Sequence, residues 1–238
     1  MKTKVLVVAS QKGGVGKTTV TMALGDGLVR AGKRVLIVDA DPQKTAYKWE
    51  SRKGLGLPRY PVRVEANSGL AVVEFLEYIV GLADDAKSVS GEELDFILVD
   101  TPPNLKSGDL EAALFVSDEV IVPVKPNRMA TEAMEELFSL FVAANEVRRR
   151  HKRGPLDVKV MVNFMQAKRV ATAAMVEQLQ NNVAEYSKRD HVRAQVLTSQ
   201  FKHLAAFENA PNYRTSFYSL PGSKDARVAI ESLVKEIA

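Results

Sequence analysis

Nine residues near the amino end, Gln11 to Thr19, read QKGGVGKTT. Glycines at 13, 14 and 16 allow a backbone tight enough for successive N–H groups to point at one anion, and a helix starting near Lys17 adds the positive end of its dipole. A loop of the form G-x-x-x-x-G-K-[ST] uses that geometry for phosphate, its lysine reaching the β and γ phosphates and the next hydroxyl serving Mg²⁺. Gly16, Lys17 and Thr18 meet the end of the pattern, while Gln11 stands where its first glycine belongs. The run Gly13, Gly14, Val15, Gly16, Lys17, Thr18, Thr19 is therefore the candidate phosphate cradle. Lys12 is a second cation that an ordinary loop of this kind does not need.

Three carboxylates carry the next step. Asp39 and Asp41 close the apolar run RVLIVDAD, and Asp100 closes FILVD. In an open parallel sheet the carboxyl ends of the strands share one edge, so these acids converge on the crevice where the glycine loop opens. Mg²⁺ held on phosphate keeps several waters and needs one or two carboxylates, a role that suits Asp39 and Asp100. Asp41, further out, is placed to orient an attacking water. A lone strand-end Asp is as readily a helix cap or turn former; three at matching ends beside a phosphate loop favour chemistry.

The elements that position these residues follow from the hydrophobic pattern. VLVVAS, RVLIVDAD, FILVDTPP and VIVPV are apolar without polar alternation, as strands buried on both faces of a parallel sheet are. They alternate with amphipathic stretches, which predicts an α/β domain with a mainly parallel twisted sheet flanked by helices on both faces. Helices are predicted over Lys17 to about Ala31, then Gly69–Leu82, Asp109–Ser117, Met129–Arg150, Arg169–Tyr186, Gln200–Ala210 and Ser223–Ile237. Further strands are predicted at Val158–Asn163 and Val192–Leu197. The glycines and prolines of Ser51–Pro61 predict a surface loop.

Composition bounds the rest. With 238 residues, 46% of them apolar, the chain can fill one core, and a single domain over 1–238 is expected. The absence of cysteine removes thiolate zinc sites, iron–sulfur clusters, redox pairs and disulfides together. No apolar segment approaches the ~20 residues that span a bilayer, and the run after Lys4 is too short for a signal peptide, so a cytoplasmic protein is expected. A formal charge of +4 permits polyanion binding without requiring it. The histidines 151, 191 and 203 are isolated and show no metal-ligand spacing.

KGGVGKTT, VDADPQ and VDTPP, in that order, resemble the deviant Walker A, switch I and Walker B segments of the ParA/MinD family of ATPases. The resemblance implies ATP and Mg²⁺ as ligands and an ATP-sandwich homodimer in which the extra lysine, here Lys12, crosses to the phosphates held by the other subunit. It gives Lys17 to the nucleotide of its own subunit, Asp41 to the hydrolytic water, and Thr18, Asp39 and Asp100 to Mg²⁺. Such a lysine is a cation supplied in trans that becomes catalytic on assembly. The resemblance also implies that Asn163, ending VKVMVN, reads the adenine, for which its amide has both a donor and an acceptor; a strand-end turn residue is the other reading.

Missing features prune the family. Nitrogenase-type reductases and iron–sulfur carriers need cysteines, and tyrosine-kinase relatives carry a tyrosine-rich tail absent after Tyr218. The end of the chain, SKDARVAIESLVKEIA, suits docking on a core better than a bilayer. With a first strand starting within about the third residue, no N-terminal winged helix is expected, and the chain resembles the short, plasmid-type ParA proteins, with a tryptophan (Trp49) after switch I and Lys44 where many relatives have glycine. That branch implies non-specific DNA binding, release stimulated by a ParB-like adaptor, and nucleoid association when ATP is bound. Lys168, Arg169, Lys188, Arg189, Arg193, Lys202, Arg214, Lys224 and Arg227 are the candidate phosphate contacts. The run RRRHKR, Arg148–Arg153, reads first as helix-end cations facing water. The same engine could position a protein cargo such as a carboxysome or chemoreceptor array. A metabolic synthetase of the dethiobiotin synthetase type is the competitor from another class, and Lys12 argues against it.

Overall fold

The computed structural model describes residues 3–51, 57–84, 93–104, 107–125, 130–164, 170–189 and 192–238, without the side chains of 130–133 and 170–172. The predicted strands pair as β1 (Lys4–Val8), β2 (Val35–Asp39), β4 (Phe96–Asp100), β5 (Glu119–Val124), β6 (Asp157–Val162) and β7 (Arg193–Val196), joined by β3 (Arg63–Ala66). All pairings are parallel, in the order β3-β2-β4-β1-β5-β6-β7. Strand order reverses around β1: β2, β3 and β4 lie to one side and β5, β6 and β7 to the other. The loop leaving β1 therefore opens at a switch point, where crevices form in such sheets.

Helices α1 (Lys17–Arg30), α2 (Thr45–Ser51), α3 (Val72–Asp84), α4 (Gly108–Val116), α5 (Ala130–Arg150), α6 (Val170–Arg189), α7 (Ala205–Tyr213) and α8 (Lys224–Ile237) cover both faces. Alternation along the strands sorts the core into two layers. Val5, Val7, Leu36, Val38, Ile97 and Val99 face α3 to α6, while Leu6, Val8, Ile37, Leu98, Ile121 and Met161 face α1, α2, α7 and α8. Helix α1 is buried from Val20 to Leu28 because α8 covers its outer side. Gly27 permits that approach: a Cβ there would lie 2.6 Å from Ile230 Cγ2 and 2.7 Å from Val234 Cγ2. The C-terminal segment thus docks on the core as its pattern predicts, burying Ala226, Ile230, Leu233, Val234 and Ile237.

Two elements were not predicted. β3 is an edge strand of four residues, RVEA, with one face polar, and α2 is two turns long. Within the predicted loop Ser51–Pro61, Tyr60 is buried and its hydroxyl donates to the Met22 carbonyl, so this part is a plug against α1 rather than surface. α7 starts at Ala205, later than Gln200, because Phe201 continues the sheet by donating its N–H to the Val162 carbonyl.

Candidate phosphate-binding site

Parallel register levels the strand ends that matter. Asp100 is the Cα partner of Val8 across β1 and of Asp39 across β2. The glycine loop, starting at Gln11 three residues past Val8, thus runs beside two fully buried carboxylates. Gly16 ends the loop with φ 91° and ψ 30°, a left-handed corner that glycine adopts at little cost. Its carbonyl accepts the first helical bond of α1, from Val20 N at 2.9 Å.

Lys17 opens α1 and is 7% exposed. Its ammonium lies 3.5 Å from the Lys12 carbonyl, and among the described residues it forms no salt bridge. Burial lowers its pKa, with Asp100 and then Asp41 acting in the opposite direction. Thr18 Oγ1 donates to Asp100 Oδ2 at 2.7 Å. Thr21, which the sequence reading did not single out, donates to Asp100 Oδ1 at 3.2 Å. Its position three residues after Thr18, on the same helix face, was the available signal. Asp100 is pushed up to about 7, first by burial and then by the charge of Asp39; Thr18, Lys17 and Thr21 pull it down.

Asp39 behaves differently. Oδ1 accepts from Asp41 N at 3.1 Å and Oδ2 from Tyr47 N at 2.9 Å, so its carboxylate caps the first turn of α2. Burial raises its pKa, while the Tyr47 and Asp41 N–H groups lower it. Asp41 is half-buried, and its Oδ1 accepts from Gln43 N at 2.8 Å. Trp49, on α2, is buried and donates Nε1–H to the Thr215 carbonyl at 3.1 Å, against Phe217 and Tyr60. It anchors the helix behind Asp39 and Asp41.

Lys12 lines a cleft of about 120 Å³ with Gly13, Gly14, Val15, Val122 and Lys125. Gln11 tethers this side by donating to Glu136 on α5. Asn163 lies beneath the loop, 2% exposed, with Nδ2 donating to the Val15 carbonyl at 2.7 Å.

The cradle fits a polyphosphate and a divalent cation. A buried lysine that forms no salt bridge among the described residues suits a bound anion, and two adjacent buried carboxylates beside a hydroxyl form a hard-oxygen donor set with excess negative charge.

The described basic candidates are spread over several elements of the protomer. Lys188 and Arg189 close α6 and Arg193 opens β7, which puts them at the sheet edge opposite the glycine loop; Lys202 lies past the carboxyl end of β7. Arg214 ends α7, Lys224 starts α8, and Arg227 donates to Ser223 Oγ at 2.9 Å and the Leu220 carbonyl at 3.3 Å. Lys168 and Arg169 lie outside the described residues, as does His191. In RRRHKR, Arg148 is buried and donates Nη1 to the carbonyls of Leu114, Phe115 and Ser117 at 2.7–3.0 Å. It caps the end of α4, and Arg153 adds a bond to the Val116 carbonyl at 3.1 Å.

A parallel sheet with a glycine loop at its switch point and leveled strand-end carboxylates defines a P-loop nucleotide-binding domain. The chain belongs to the CobQ/CobB/MinD/ParA nucleotide-binding domain family, whose model matches residues 6–211. It is 30% identical to the sporulation initiation inhibitor protein Soj of Bacillus subtilis, over 57% of this chain and 64% of that protein. It is 35% identical to maintenance of carboxysome distribution protein A of Gloeobacter kilaueensis, over 52% of this chain and 50% of that one. It thus spans half to just under two thirds of these relatives. A putative plasmid partition protein of Borrelia burgdorferi, solved bound to AMPPNP, shares the fold with TM-score 0.66 and 19% identity, covering 99% of this chain and 100% of that one.

Proposed function

We propose that this chain is a DNA-segregation ATPase of the ParA type. Mg-ATP binds at Gly13–Thr19, with Lys17 on the phosphates, and Thr18, Asp100 and, behind them, Asp39 hold the cation. The bound cation supplies charge neutralisation to the phosphates; the chain supplies the rest. Asp41, tied to Asp39 through its own N–H, orients the attacking water. Lys12 completes the site of a second subunit, so hydrolysis depends on an ATP-bound homodimer.

The observation that carries this reading is the pairing of Lys17, buried beside Asp100, with Lys12 on the open cleft of the same loop. A monomeric phosphate-binding enzyme has a use for the first lysine and none for the second. The dimer then joins basic residues of two protomers for sequence-independent DNA binding, and a ParB-like adaptor stimulates hydrolysis and release, coupling two sites. The protein works in the cytoplasm, on the nucleoid when ATP-bound. Among the described residues no helix is long and apolar enough to cross a membrane. The carboxysome-distribution relative supports a second cargo, a protein assembly, for the same engine.

The test is retention on unrelated-sequence DNA with ATP, ADP or no nucleotide, at rising salt, beside ATP turnover of wild type and Lys12→Ala. ATP-specific retention that falls steeply with salt, together with unimpaired ATP binding but lost stimulated turnover in the variant, is expected. Equal retention with ADP and ATP, or unchanged turnover in Lys12→Ala, refutes it.

A further inference from the structure

The Val15–Gly16 corner sets where the Lys17 N–H and the α1 N-terminus stand, and what holds that corner comes from β6. Asn163 N donates to the Val124 carbonyl at 2.8 Å, extending the β5–β6 ladder by one residue, so its backbone is fixed by the sheet. Its buried side chain uses both polar ends: Nδ2 donates to the Val15 carbonyl at 2.7 Å, and Oδ1 accepts from Phe164 N at 2.9 Å. Phe164 adopts φ 55°, a left-handed conformation rare for an aromatic residue. Its ring packs against the loop and beneath Lys125, whose ammonium lies 4.4 Å from the ring centroid. A Cβ on Gly16 would fall 2.3 Å from Asn163 Nδ2 and 2.7 Å from Phe164 Cε2. The Asn163–Phe164 pair fills the space behind the corner.

The geometry points to Asn163 as a positioning residue for the glycine loop, acting on polyphosphate affinity through Val15 and Gly16, independently of which base the ligand carries. The inference rests on the nucleotide reading above and deepens it. A base reader presents its amide edge to the ligand; this amide is 2% exposed, with one of its two N–H donors on the loop carbonyl and its oxygen accepting from the next N–H.

The experiment is calorimetric titration of wild type, Asn163→Ala and Asn163→Asp with ATP, GTP and inorganic tripolyphosphate, each with magnesium. Asn163→Asp keeps size and acceptor but sets an oxygen against the Val15 carbonyl, and it carries the test should the alanine variant fail to fold. Both variants are expected to lose affinity for all three ligands by a common factor of about tenfold, the scale of one buried hydrogen bond. The ATP-to-GTP ratio and the binding stoichiometry stay as in wild type. A loss confined to ATP assigns Asn163 to the base and overturns the proposal. So does unchanged affinity, or a fall in stoichiometry alone, which marks a fold-stabilising residue. If wild type binds none of the three ligands, the nucleotide reading itself fails; if it binds and the variants match it, only the Asn163 proposal fails.

Discussion

Asp39 and Asp100 are register partners at the carboxyl ends of β2 and β4, both fully buried, yet their oxygens are spent on different donors. Asp39 accepts two backbone N–H groups, from Asp41 and Tyr47, whereas Asp100 accepts the hydroxyls of Thr18 and Thr21. Hydroxyls rotate to suit a new partner and N–H groups fixed in a turn do not. The pair therefore divides its work: Asp100 is the carboxylate whose present partners can turn away to a ligand, while Asp39, behind it, adds its charge to the site and holds the loop that carries Asp41.

The charge of Asp100 is costly without a ligand. Its folded-state pKa, raised to about 7, means the folded protein binds the proton more tightly than the unfolded chain. Stability of the ligand-free protein therefore falls as pH rises from about 4 to 7, and the full cost is present above that window. Asp100→Asn is expected to raise the melting temperature at about pH 8 by several degrees, reflecting on the order of 2–4 kcal/mol, and to abolish ATP turnover. The gain shrinks toward zero near pH 4. Equal melts at the higher pH would show that Asp100 is not destabilising.

Arg148 and Arg149 are sequence neighbours with opposite fates. Arg148→Ala removes the guanidinium from three carbonyls around the α4 terminus and from Gly154, leaving buried acceptors unpaired, at a cost of about 3 kcal/mol. Arg149 is exposed and pairs with Glu146 on the surface, so Arg149→Ala is expected to change stability by less than about 0.5 kcal/mol. Urea denaturation of the two variants checks the contrast, and similar midpoints would count against it.

These residues mark how far the sequence is legible. The glycine loop and the strand-end aspartates are local patterns, and parallel register converts them into a site once the strands are recognised. The helices and six of the strands announce themselves through apolar runs long enough to have a period. β3 and α2 do not, because four residues on a sheet edge and two helical turns bury too little to leave a pattern. Arg148 reads as a solvated helix-end cation because three of its four acceptors lie more than 30 residues away, at the carboxyl end of α4. Asn163 is visible as a strand-end residue, but Val15, 148 residues away, receives its donor.

Lys44 immediately precedes α2 with φ 52°, its carbonyl accepting from Lys48 N at 2.9 Å and its own N–H donating to the Asp41 carbonyl at 2.8 Å. A left-handed lysine costs roughly 1 kcal/mol, and a glycine there returns a similar amount as unfolded-state entropy. Lys44→Gly is thus expected to leave the urea midpoint nearly unchanged while loosening the Asp41–Lys44 turn. Faster amide exchange at position 44 and at Lys48, with global stability held, is the signature. A loss of more than about 1 kcal/mol would mean the lysine side chain does more than tolerate its backbone.

Asp41 combines a charge and a turn, and two substitutions separate them. Its Oδ1 accepts from Gln43 N at 2.8 Å, a bond that Asn reproduces and Ala does not. If Asp41 acts on the water through its carboxylate, Asp41→Asn and Asp41→Ala both stop turnover and both leave an ATP-bound dimer that accumulates in size-exclusion chromatography. If its contribution is the turn, Asp41→Asn keeps turnover and only Asp41→Ala loses it. The first outcome is expected, because the carboxylate sits within electrostatic reach of Lys17 whereas the turn has further support from Lys44 N and from Asp39. An Asp41→Ala protein that stays monomeric with ATP bound would remove Asp41 from the hydrolytic step and return it to the turn alone.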